Sequence, residues 1–251
     1  MPNWVKNIVC MKGIAQEPLF TEEGGVKKFD FNTLIRMPPS LNIESGSMTD
    51  ENIIYYLTER CTIPLDKLSE DKKELLNKLV RNILGGEKWH ETVFLRVMSH
   101  AFDESEEKKT KRYTDGGVYV ANYQRYGAPT WYNWCCENWG TKWNACRTNT
   151  VDDNTISFNT AWGTPLPVIA RLAETYPNRK IEHWWADEDV GRNDGYAKYI
   201  GGIREVCIHY DEYSKGACAT YIRCWGESRC LYKDEDGEWH KHDCDDCHGC
   251  D

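Results

Sequence analysis

The sequence predicts an α+β fold, an antiparallel sheet with helices packed on one face, followed by a cysteine-rich C-terminal appendix. Three observations predict it. In the second half of the chain, pairs of strand-like runs alternate with single helical stripes, which suits antiparallel pairing better than strict strand–helix alternation does. Residues 131–144 hold four of the eleven tryptophans, a density of rings that needs a core to pack in. After Gly226 the composition shifts to cysteine and histidine at metal-ligand spacing.

Taken in order, Trp4, Lys6, Ile8 and Cys10 alternate with Val5, Asn7, Val9 and Met11. Apolar residues on both sides place this first strand inside a sheet. Val26 to Met37 reads as a second strand, closed by Pro38-Pro39, which have no N–H for a ladder. Thr49 is the expected N-cap of a helix reaching about Arg60, with Asp50 and Glu51 favourable in its first turn and Met48 stapled onto Ile53. Ser69 caps a second helix with the stripe Leu75, Leu76, Leu79, Val80, Ile83 and Leu84, ended by Gly85-Gly86. Trp89, Val93, Val97 and Ala101 space a third. Asp103 to Arg112 has no apolar face and reads as a linker or solvated loop, with Tyr113 to Tyr123 a strand able to pair with the first half.

Pro129 and Thr130 start a helix with Trp131, Cys135 and Asn138 or Trp139 on one face, and Gly140 suits the left-handed position past its end. Trp143, Ala145 and Arg147 then alternate into a strand. Thr155 to Trp162 is a further strand; Thr164-Pro165 opens a helix carrying Val168, Ile169, Leu172, Ala173 and Tyr176, and Pro177 closes it. Lys180 to Ala186 is a strand, residues 187–195 a turn, and Tyr196 to Tyr210 a long strand with a break at Gly201-Gly202. Ser214 begins a helix ending at Trp225-Gly226. Phe31-Asn32-Thr33 and Phe158-Asn159-Thr160, each followed five residues later by a proline, suggest a duplicated strand-to-helix unit. The expected division is 1–112, 113–226 and a Cys/His-rich tail over 227–251.

At 251 residues the chain can bury a full core without crosslinks. A net charge of −9 argues against a long nucleic acid held through its phosphates, which needs a cationic stripe. No run of apolar residues has the length of a membrane span or follows a basic leader, so the expectation is a cytoplasmic protein. There the twelve cysteines are reduced: core hydrophobes, metal ligands or reactive thiols.

Four stretches, Met1-Pro2-Asn3-Trp4, Asn138-Trp139-Gly140-Thr141-Lys142-Trp143, Thr160-Ala161-Trp162 before Pro165 and Pro167, and Ala186-Asp187-Glu188-Asp189 with Gly191, stand in an order and spacing that resembles the YubB-like proteins of phages and plasmids. The resemblance spans most of residues 1–226. It implies a ferredoxin-like α/β sandwich, without an iron–sulfur cluster, and transfers no catalytic residue. Carriage on mobile elements implies counter-defence, of the kind an anti-CRISPR performs, by occupying the surface of a host defence protein or complex.

The residues themselves offer three kinds of chemistry. Trp131, Trp134, Asn138, Trp139, Lys142 and Trp143 pack a core or grip a ligand; with Tyr123, Arg125 and Tyr126 they suit a base stacked on a ring and a phosphate met by a cation, as in a protein that sequesters a small nucleotide. Asp187, Glu188, Asp189, Asn193 and Asp194 in a glycine-flanked turn form a solvated loop, a Ca²⁺ or Mg²⁺ loop outside the twelve-residue pattern, or a dock for a basic partner. Cys244, Cys247 and Cys250, with Cys230 or His242 as fourth ligand, supply the soft donors of a structural zinc site, a hairpin through Asp234-Glu235-Asp236-Gly237 bringing Cys230 back toward them. No G-x-S-x-G, phosphate loop or H-E-x-x-H is present, and a metal-dependent nucleic-acid enzyme is the weakest reading.

Overall fold

A computed structural model describes residues 2–80 and 87–242, the backbone alone for 87–89. The elements are β1 (Trp4–Cys10), β2 (Phe20–Glu23), β3 (Val26–Phe29), α1 (Ser47–Leu57), α2 (Glu70–Leu79), α3 (Glu87–Asp103), α4 (Glu106–Tyr126), α5 (Trp131–Asn138), β4 (Cys146–Asp152), β5 (Thr155–Ala161), α6 (Leu166–Thr175), β6 (Ile181–Asp187), β7 (Gly195–Ile200), β8 (Ile203–His209), α7 (Lys215–Trp225), β9 (Leu231–Lys233) and β10 (Trp239–Lys241). The chain forms two compact units, Met1–Arg36 with Cys135–Asp251, and Met37–Trp134, the division falling within α5.

In the first unit six strands make one sheet in the order β4-β5-β1-β6-β7-β8, each pairing antiparallel. Because β5 and β6 both run antiparallel to β1, they are parallel to each other, and α6 joins them as a split β-α-β unit with β1 filling the gap. That is why β1 carries apolar residues on both sides. Val5, Val9, Ile156, Phe158, Ile181, Trp185 and Tyr199 are buried on one face, with Val168, Ile169 and Leu172 of α6 also buried. On that face Asn7 Nδ2 donates to Val5 O and to Thr160 Oγ1, while its Oδ1 accepts from Thr164 Oγ1 at 2.9 Å and His183 Nε2 at 3.0 Å. Burial holds the His183 pKa down at about 3, so the ring stays neutral in this network. The expected single-sided helix cover describes α6; α7 reaches the outer face, where Trp225 Nε1 donates to Ala186 O and Arg223 lies over Trp184.

In the second unit α1 to α4 pack around Ile53, Ile54, Leu57, Leu76, Val80, Val93, Val97 and Tyr119. Gly116 of α4 meets α1 so closely that a Cβ there would lie 2.1 Å from Asn52 O. The expected linker at residues 103–112 is instead the last residue of α3, a two-residue turn and the start of α4: Ser105 caps α4, and Arg112 is 4% exposed. Arg112 Nη1 donates to Glu51 Oε2 (3.1 Å) and Asn52 Oδ1, Nη2 donates to Glu104 Oε1 (2.6 Å), and Glu51 also meets Arg96 and His100. Most of this charged stretch stays exposed; Arg112 alone is buried, its charge matched by Glu104 nearby and by Glu51, 61 positions away. The expected boundary at 112 therefore falls inside a helix, and Tyr113 to Tyr123 is helical, not a strand.

Smaller expectations shift too. The run from Val26 ends as a strand at Phe29, paired with β2, and Phe31–Thr33 is a 3₁₀ turn capped by Asp30, so its echo in β5 is not a duplicated unit. Helix α1 starts two residues before Thr49, whose Oγ1 accepts from Gly46 N. Gly201 and Gly202, both left-handed, turn the long strand into the β7–β8 hairpin. Ser69 and Ser214 cap α2 and α7 as expected. Ile83, Leu84, Gly85-Gly86 and the Trp89 side chain lie outside the described residues.

Candidate functional site: the surface around Asn3 and Trp4

The tryptophan stretch forms the expected helix and stop, Gly140 having φ +79°. Its rings divide in their use. Trp134 and Trp139 are buried; Trp139 Nε1 donates to Ile35 O at 2.9 Å and its ring meets Phe31 edge-on. These are core, as is Cys135, whose thiol burial pushes up to about 12. Trp131, half-buried, packs edge-on against Tyr132 in the second unit, where Arg125 lies over Tyr126. Asn138 is half-buried in α5. The expected set is therefore split between the two units, with Lys142 and Trp143 in the first.

Trp143 pairs with Trp4 of β1, ring centroids 6.3 Å apart, and Lys142 Nζ lies 4.6 Å from the Trp143 ring. Arg147 lies 5.2 Å from the Trp4 ring. It gets there through a β-bulge: the β4–β5 register slips between Cys146 and Asn149, and Arg147 sits at φ +51°, a conformation unusual outside glycine. The backbone of the same corner gathers two more segments. Asn3 O accepts from Trp162 N at 3.0 Å, and Trp4 O accepts from Glu188 N at 2.8 Å. Asn3 Nδ2 donates to Asp189 Oδ2 at 3.2 Å. Trp162, at φ +69°, is 56% exposed. Four stretches far apart in sequence, at residues 3–4, 142–147, 162 and 188–189, thus meet on one surface.

The acidic turn is not uniformly solvated. Glu188, Asp189 and Asn193 are exposed, but Asp187 is 6% exposed, its Oδ1 accepting from Asp189 N and its carboxylate also bonded by Asn193. Burial raises the Asp187 pKa, and it shapes the loop from within; as a docking acid it is a correction to the expectation. Asp194 is 1% exposed with neither carboxylate oxygen partnered among the described residues, and burial together with the charge of Asp187 pushes its pKa up to about 8.

The expected C-terminal hairpin is present as β9–β10, with Gly237 at φ +82° in its turn. At its base His242 N donates to Cys230 O at 3.0 Å, so two expected metal ligands sit side by side. Cys244, Cys247 and Cys250 lie outside the described residues. Asp234, Glu238 and His240 also cluster, but Asp234 bonds His240 at 2.6 Å and Glu238 pairs with Lys215, a satisfied ion-pair group. A cleft of about 600 Å³ beside β2, lined by Gln16, Phe20, Thr21, Lys27 and Thr150, contains none of the residues expected from the sequence. Among the described residues no helix is long and apolar enough to cross a membrane.

A family model described as a ferredoxin-like domain in Api92-like protein matches residues 138–233. No curated protein matches the chain. The crystal structure of protein api92 from Yersinia pseudotuberculosis is similar at 11% identity and a TM-score of 0.34, over 85% of this chain and 100% of that one. Residues 138–233, which hold β4 to β9, are thus similar to the ferredoxin-like domain of Api92-like proteins, and the sheet is ferredoxin-like with β1 supplied from the N-terminus.

Proposed function

We propose that this chain is a non-catalytic binding protein that grips a partner protein through the surface around Asn3 and Trp4. The observation that carries this is the convergence of Trp4, Trp143, Trp162, Lys142 and Arg147, with Glu188 and Asp189 at its edge, by way of a bulge and two left-handed non-glycine residues. Half-buried and exposed indoles with an exposed arginine are the residue types that dominate binding energy at protein interfaces. Backbone conformations of this kind cluster where function outweighs local comfort. Each of the four stretches that carry the sequence resemblance to YubB-like proteins contributes to this corner, Arg147 lying outside them, and the finer reading follows from the resemblance: a phage- or plasmid-borne protein that blunts a host defence factor by covering part of its surface. Affinity capture of the full chain from a host lysate tests this. A captured defence complex that is lost with Trp162→Ala or Arg147→Glu supports the reading; capture unchanged by both refutes it.

Zinc in the C-terminal appendix belongs to the same proposal. The pairing of Cys230 with His242 across the hairpin base supports it. Metal analysis of the purified chain is expected to give one zinc per molecule, lost with Cys230→Ser.

A further inference from the structure

The outer face of the sheet, opposite the α6 side, carries a row that no part of the binding surface above uses. Ile8, Trp184, Tyr196 and Ile208 are direct cross-strand neighbours on β1, β6, β7 and β8. The first three are half-buried and Ile208 is exposed, whereas their neighbours Val9, Trp185 and Ala197 on the core side are fully buried. The row crosses three strand spacings, about 14 Å. Trp184 and Tyr196 form a tilted aromatic pair with centroids 5.2 Å apart, and the Arg223 guanidinium of α7 lies over Trp184, 3.8 Å from its centroid, in an exposed position. One step along β1 on the same face, Lys6 lies 5.3 Å from the Trp225 ring.

The charge on this face runs against that of the whole molecule. Lys6, Lys180, Lys198 and Arg223 stand there against Glu182 and Glu205. Glu182 is held by Lys180 at 2.8 Å and by the Tyr196 hydroxyl at 2.9 Å, and Glu205 by Lys198 at 3.0 Å. The acids are therefore neutralised in place, leaving Lys6 and Arg223 as the surplus on a chain of net charge −9. An aromatic and guanidinium surface bordered by cations is matched by a ligand with flat rings and negative charges alternating along it.

We infer that the outer sheet face binds a short single strand of nucleic acid, its bases stacking on Tyr196 and on the outer side of the Arg223 guanidinium that covers Trp184, and its phosphates meeting Lys6 and Arg223. Sheet faces with two or three such platforms take two or three bases, because stacking tolerates any base and the backbone follows the cations. The overall negative charge limits the length held, since phosphates beyond the row meet acidic surface. This inference does not rest on the partner surface around Asn3 and Trp4.

The test is fluorescence anisotropy of the full chain with labelled single-stranded octamers, oligo-dT and oligo-U, read at several salt concentrations alongside tryptophan quenching. The single strands are expected to bind and quench, and the corresponding duplex to bind at least about tenfold more weakly. Arg223→Glu and Lys6→Glu are each expected to weaken binding about tenfold or more and to reduce the salt slope by about one. Lys67→Glu in the second unit controls for net charge. Crosslinking with an iodouracil-substituted octamer needs no variant to fold, and is expected to label Trp184 or Tyr196. Absence of binding, undiminished binding by folded Arg223→Glu and Lys6→Glu, crosslinks confined to other surfaces, or occupation of this face by a protein instead would each overturn the inference.

Discussion

Glu51 in the helical unit and Asp194 in the sheet unit are equally removed from solvent and are treated in opposite ways. Glu51 lies among Arg96, His100 and Arg112, and the network extends to Glu104. Among the described residues Asp194 has no hydrogen-bond partner on either oxygen, and the groups around it, Asp187 on β6 and Cys218, Tyr221 and Cys224 on α7, bring no cation to it. Burial of a carboxylate thus has two outcomes in one chain. Where cations are close the acid becomes a structural joint between helices; where they are lacking, the proton stays on at neutral pH.

Breaking the joint should have the largest effect. Arg112→Met takes from Glu104 its partner and leaves Glu51 with Arg96 and His100, and is expected to cost about 3 kcal/mol, measured by chemical denaturation with a probe in the helical unit. Asp194→Asn goes the other way. The folded carboxyl keeps its proton up to pH about 8, whereas the unfolded chain releases it near 3.8. The folded state therefore holds the extra proton between those values, and stability falls as pH rises through that window, by at most about 1.4 kcal/mol per pH unit. The variant should flatten this slope and be more stable than the parent at pH 8; an unchanged melting profile from pH 5 to 8 would show that Asp194 is not held neutral.

Smaller effects sharpen the contrast. Gly116→Ala puts a methyl group against the Asn52 carbonyl where α1 and α4 meet, and about 1–3 kcal/mol of overpacking is expected in the helical unit. Trp162→Ala removes an exposed ring, so the melting temperature should move by less than the equivalent of about 0.5 kcal/mol while partner capture is lost. A large loss of stability with Trp162→Ala would make that ring structural and remove it from the binding surface.

Much of the sheet unit could be read from residue pattern. Apolar positions on both sides of β1 specify an interior strand, and the stripe of α6 between two prolines specifies a helix against the sheet. The binding corner was legible only in pieces: Trp143 and Lys142 stood out for their chemistry, but Arg147 lies in an ordinary strand run, and only the slip in register against β5 turns it onto Trp4. Asp187 looked like one more surface acid because nothing local distinguishes it from Glu188; its burial comes from the way the loop folds over it.

The helical unit shows the same limit from the other side. Residues 103–112 read as a linker or loop because helix signals rely on an apolar stripe, and this largely exposed stretch turns only an arginine inward. By itself the sequence determined the short-range matters: where strands alternate, where Ser69 and Ser214 cap, where Gly140 and Gly237 turn, since those depend on neighbours within a few residues. Tertiary structure alone decided which charges are buried and which rings are shared between distant segments. Those depend on partners up to 186 positions apart, as Asn3 and Asp189 are, and no local pattern encodes a partner so remote.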